Sequence, residues 1–171
     1  MYAAHEISQV VRTRRTDMGI TQGALAKLSG LSRATVNQVE NGTIKDLSIT
    51  RAASLLDALG LSMSLSPARG GRDPGEPLKR MTFLERVAQS ASVSYRRGMP
   101  VEALLQAVAT GQVPIGFAPH LNAALEDSTA ALLSGVAEEV HASTGLERSK
   151  AWSNMRAMAK SLGSRRELWQ C

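Results

Sequence analysis

Apolar residues recur three and four positions apart from Ile7 to Leu59 and again from Phe83 to Leu162, the spacing of helices that each bury one face. Ile7, Val10, Val11 and Met18 predict a first helix over residues 4–18, with Arg12, Arg14 and Arg15 on its other side. Thr21 suits the N-cap of a second helix carrying Leu25, Ala26 and Leu28, and Gly30 suits its end because glycine tolerates a left-handed cap. Ser32 caps a third, with Val36 and Val39 inward and Asn41-Gly42 closing it. Ser48 caps a fourth, built on Ala52, Leu55, Leu56 and Leu59 and closed by Gly60. The period then changes. Leu61 to Ser66 alternates apolar and polar strictly, which is the signal of a strand.

Pro67, Gly70, Gly71, Pro74, Gly75 and Pro77 follow within eleven residues and predict a linker. Beyond it the pattern is helical throughout. Thr82 caps a helix running to Arg97, with Phe83, Leu84, Val87, Ala88, Ala91 and Tyr95 inward and Gly98 as its stop. Pro100 suits the first position of a short helix with Val101, Leu104, Leu105 and Val108. After a loop over 111–120, Leu121, Leu125, Leu132, Val136 and Val140 predict one long helix over 121–142. Thr144 and Glu147 have the spacing of a capping box for a last helix with Trp152, Met155, Met158, Ala159 and Leu162, ended by Gly163. In the tail, Trp169 is either an anchor for a partner or a side chain tucked onto its own domain.

The outward face of the third helix carries the chemistry. Arg33, Ala34, Asn37 and Gln38 lie there, with Thr35 and Asn41 beside them. Arginine pairs bidentately with guanine, asparagine or glutamine with adenine, and an alanine methyl touches a thymine methyl. Such a helix, braced by the one before it, is the arrangement that enters a major groove.

The ordered set Thr21-Gln22, Leu25-Ala26, Gly30, Leu31-Ser32, Val36 and Glu40-Asn41-Gly42 resembles the Cro/C1-type (XRE) helix-turn-helix family, from about Ile7 to Leu65. The resemblance implies phosphate contacts from Gln22 at the start of the second helix and from Asn41, Thr43 and Lys45 after the third. Ser32 and Thr35, at the N-terminus of the third helix, are expected to join them, since helix N-termini favour phosphate. The alternating phrase is similar to the strand of HipB-type antitoxin-repressors, which pairs across a dimer. Leu61, Met63 and Leu65 would be its apolar side, because an isolated strand needs a partner. An extended tail packed on its own core is the alternative.

The expected fold is therefore mainly α. Residues 1–66 form a five-helix-type helix-turn-helix domain with a short dimer-forming strand. Residues 67–80 form a Pro/Gly-rich basic linker, and 81–171 a second small helical domain for oligomerisation or partner binding. The implied function is a homodimeric, sequence-specific repressor of an inverted-repeat operator, acting as the autoregulating antitoxin of a toxin–antitoxin operon with a cognate toxin as partner. A stand-alone phage-type or metabolic repressor, and a protein–protein adaptor with an unused DNA fold, are the alternatives.

Composition adds limits. The net charge is +5, and the basic excess sits in the first segment and the linker, with seven Lys/Arg against five Asp/Glu in 1–66 and four against two in 67–80. That favours polyanionic partners. Aromatic residues are 4% of the chain, which argues against stacking on single-stranded bases. The single cysteine, Cys171, provides neither a disulfide nor a cysteine metal site within one chain. His5, His120 and His141 are scattered, and Glu138-Glu139 read as a solvated edge. No P-loop, dinucleotide fingerprint or nucleophile elbow occurs. No catalytic residue, metal or cofactor is expected, no long apolar run suggests a membrane, and the chain is expected to be cytoplasmic.

Overall fold

The computed structural model describes residues 2–63 and 81–170, with side chains from residue 7 onward. The expected linker, Leu65 and Cys171 lie outside the described residues.

Among the described residues, four helices occupy the first segment, where a five-helix type was expected: α1 (Tyr2–Asp17), α2 (Gln22–Ser29), α3 (Arg33–Glu40) and α4 (Ile49–Ala58). Their caps follow the sequence. Thr21 and Ser32 accept the N–H groups of Ala24 and Thr35, at 3.1 and 3.0 Å. Gly30 ends α2 in the left-handed conformation. Val11, Met18, Ile20, Leu25, Val36, Val39, Leu55 and Leu59 close the core between α1, α2, α3 and α4. Ile7 and Val10, expected to face inward, are 44% and 49% exposed. Among the described residues there is no strand, and Leu61 and Met63 lie in irregular backbone. Leu61 instead donates its N–H to the Leu56 carbonyl at 2.8 Å, at the end of α4, and an alternating pattern without a partner strand does not by itself make a strand.

Five helices follow: α5 (Phe83–Ser92), α6 (Val101–Thr110), α7 (Ala118–Asp127), α8 (Ala130–Thr144) and α9 (Arg148–Ser161), with a 3-10 turn at Glu167–Trp169. Three expected boundaries are corrected. Helix α5 stops at Ser92 rather than Arg97, because the Ser92 hydroxyl donates to Ala88 (2.6 Å) and accepts the N–H of Met99 (2.9 Å), folding the chain back. The expected long helix is two, α7 and α8, broken at Ser128 where Thr129 caps α8. The Thr144–Glu147 capping box does not form. Thr144 is the last residue of α8 and donates to Val140, while Glu147 is an N-cap without a side-chain bond. A capping box forms instead at Thr82 and Glu85.

The two segments are packed together. Helix α9 lies against α1, and α4 against α8. A Cβ on Gly60 would lie 2.7 Å from backbone atoms of Ala130 and Ala131, so only glycine allows this approach. Glu138 joins the segments electrostatically, taking Arg14 at 3.3 Å and Arg148 at 2.5 Å. Its neighbour Glu139 accepts the N–H groups of Phe83 and Leu84 at the start of α5, at 2.7 and 2.9 Å. The pair expected as a solvated edge thus serves two different seams. The two carboxylates diverge because adjacent helical residues point in different directions.

Candidate nucleic-acid interface

Helix α3 is held from behind. Val36, Val39 and Glu40 face inward, Glu40 being 6% exposed. A carboxylate there needs partners, and it has three bonds: Arg15 Nε at 2.6 Å, Arg15 Nη2 at 3.1 Å and Gln22 Nε2 at 2.9 Å. The remaining Arg15 nitrogen donates to the Ile20 carbonyl at 2.9 Å. One carboxylate therefore fastens α3 to α1, to the turn after α1 and to the start of α2. Burial pushes the Glu40 carboxyl up. The hydrogen bonds from Arg15 and Gln22, with the charges of Arg15 and Arg12, outweigh that and hold it below the usual glutamate range. In the sequence Glu40 stands out only as part of the Glu40-Asn41-Gly42 motif. The available signal was a carboxylate one residue after Val39 and four after Val36, on the helix's buried stripe.

With its back fixed, α3 presents Arg33, Ala34, Asn37 and Gln38 to solvent together. Asn37 and Asn41, one turn apart, are joined by a hydrogen bond from the Asn41 amide to the Asn37 side-chain oxygen, which leaves the Asn37 amide nitrogen to donate outward. Ser32 is exposed and Thr35 half-buried, and their hydroxyls are 2.9 Å apart. Past α3 the backbone folds onto one carbonyl. The oxygen of Gln38 accepts the N–H groups of Thr43 (2.9 Å) and Ile44 (3.2 Å) and the Thr43 hydroxyl (3.4 Å). Gly42, at φ 66°, makes that turn possible, and Lys45 is exposed just beyond it. Gln22 differs from the others. It is half-buried and one of its two amide N–H groups is spent on Glu40, which leaves the second N–H and the N–H end of α2 as its donors. Leu61, partly buried against the core, and Met63, half exposed, follow α4 along the chain.

Two short helices at a tight turn, the second braced by a buried ion pair and bare on its polar face, define a known architecture. The family described as helix-turn-helix matches residues 11–65. This segment is a helix-turn-helix domain. No curated protein and no solved structure matches the chain. The helix-turn-helix domain is a DNA-binding regulator fold, with the recognition helix in the major groove and the preceding helix across the backbone. Here α3 holds the recognition position and α2 the supporting one. The domain's match ends at residue 65, so α5 to α9 lie outside it. Among the described residues, no helix is long and apolar enough to cross a membrane, and no group of three His, Cys, Asp or Glu is placed to hold a metal ion.

Proposed function

We propose that the protein is a sequence-specific transcription regulator that reads duplex DNA with α3. Arg33, Ala34, Asn37 and Gln38 read base edges. Gln22, Ser32, Thr35, Asn41, Thr43 and Lys45 set register on phosphates, with the N-terminus of α2 beside Gln22. The observation that carries this reading is the joint exposure of Arg33, Ala34, Asn37 and Gln38 on a helix whose opposite side is locked by Arg15 and Glu40. Read-out needs side chains held in one orientation, and the locked back supplies that orientation. Repression, by occupying DNA at a promoter, is the simplest outcome for such a chain. Two-fold pairing on an inverted repeat extends the proposal to a homodimer.

Selection from a random duplex library by the full chain tests this. An enriched motif that resists random-DNA competitor supports it, and an inverted repeat within the motif supports the dimer. No enrichment, with equal and weak binding to all duplexes, defeats it. The narrower antitoxin reading rests on the alternating phrase 61–66, and residues 61–63 carry no strand. It stands or falls on co-purification of a growth-inhibiting protein encoded beside this one.

A further inference from the structure

We propose that Arg156, in the second helical segment, is a positioning residue for DNA reading. It sets the α1–α2 turn from outside the helix-turn-helix domain. This rests on the reading of that domain as one that binds duplex DNA.

Arg156 lies on α9 and reaches across the seam to the end of α1. Its Nη2 donates to the Met18 carbonyl at 2.6 Å and the Gly19 carbonyl at 3.4 Å. These two carbonyls lie immediately past the end of α1, where carbonyls have no intrahelical donors and the helix C-terminus favours a cation. Gly19, at φ 64°, has the guanidinium 3.1 Å from where a Cβ would stand, so the turn and the arginine fit each other closely. Arg156 keeps this pose although its Nε is buried without a partner. An orphaned donor is costly, and the bonds to the two carbonyls offset it.

The turn it grips is the one on which the reading helix depends. Next along the chain, the Ile20 carbonyl is held by Arg15, and Arg15 and Gln22 together hold Glu40 at the end of α3. Residues 18–22 are therefore clamped from both sides. Arg15 works within the domain, and Arg156 works from the second segment. The Arg14–Glu138–Arg148 contact and the Gly60 approach keep α8 and α9 seated so that Arg156 meets its target. The second segment thus acts as a brace on the domain, and loss of that brace loosens the N-terminus of α2 and the tether of α3 without touching a residue that faces DNA.

The test uses the full chain with two probes, a duplex selected by the wild type from a random library and a random-sequence duplex. It is run well below the melting temperature of every variant. Arg156→Ala is expected to weaken binding to the selected duplex about tenfold, the scale of a lost hydrogen bond to a charged group. It should also speed amide hydrogen exchange at residues 19–25 in the free protein. Lys150→Ala, on the same helix and equally a lost charge, is expected to change neither. Arg156→Lys is expected to recover part of the affinity, since an ammonium reaches a carbonyl without spanning both. Arg156→Met, which keeps the aliphatic stem, replaces the alanine variant if that one does not fold.

Unchanged affinity in Arg156→Ala overturns the proposal, even if its melting temperature falls. Equal losses in Arg156→Ala and Lys150→Ala overturn it in favour of long-range charge. A wild type that prefers neither duplex defeats the DNA reading itself, and this inference with it.

Discussion

Glu40 shows how one side chain serves both stability and reading. Its carboxyl is held low, so its contribution to stability is complete above the unfolded value near 4.5 and is lost as pH falls through the lower folded value. Glu40→Gln is expected to cost about 2–3 kcal/mol at neutral pH, by losing charge-assisted bonds and leaving Arg15 poorly paired. The gap to wild type should shrink as pH falls below about 4.5. Thermal melts of both proteins from pH 7 to pH 3 check this, and parallel curves would contradict it. The exposed face separates by chemistry. Arg33→Ala is expected to cost about 1–3 kcal/mol and to relax preference at one base pair. Lys45→Ala should weaken all duplexes alike and reduce the salt slope by about one. Binding titrations over several salt concentrations distinguish the two, and a base-specific loss for Lys45→Ala would refute its phosphate role.

At the scale of elements, the second segment is held by contacts its local sequence does not announce. The α7–α8 break is the clearest. Arg166 donates to the carbonyls of Leu125 (2.8 Å) and Ser128 (2.7 Å), satisfying the end of α7 and letting Thr129 start a new helix. Trp169 packs in the same region, fully buried, its ring 6.0 Å from that of Trp152 and its Nε1 donating to the same Leu125 carbonyl at 3.2 Å. The tucked alternative thus describes this tryptophan. Trp169→Ala is expected to cost about 3–5 kcal/mol. Trp169→Phe should cost only about 1–2 kcal/mol, since Arg166 keeps that carbonyl paired. Denaturant unfolding of the two variants measures the difference, and equal small effects would mean the tail is not part of the core.

For the whole molecule, the seam between the segments is the consequential feature, and two glycines isolate it. Gly30 and Gly60 both sit at φ 67°, but a Cβ on Gly30 meets nothing within 4 Å, whereas on Gly60 it meets the α8 backbone. Gly30→Ala should lose only the left-handed backbone preference, about 1–2 kcal/mol. Gly60→Ala should lose that and also push α4 from α8, costing at least about 1 kcal/mol more. It should also raise hydrogen exchange in the first turn of α8. Matched losses and unchanged exchange would show that the seam yields freely.

What the sequence by itself determined is what short-range chemistry sets. The stripes of α2 to α4, the caps at Thr21, Ser32, Ser48 and Thr82, and the stop at Gly30 depend on neighbours within one or two turns. The polar outer face of α3 was legible for the same reason, because its spacing is helical and its residue types match base edges. Tertiary structure decided whatever depended on a distant partner. Glu40 became a tether because Arg15 and Gln22 converge on it, and one N–H of the Gln22 amide is taken up in the process. Glu138 and Glu139 became fastenings because Arg14 and the start of α5 come to them. The break at Ser128 needed Arg166, and the early end of α5 needed Met99 to return to Ser92. A helical pattern gives each side chain a face, and only the packed chain gives that face a partner.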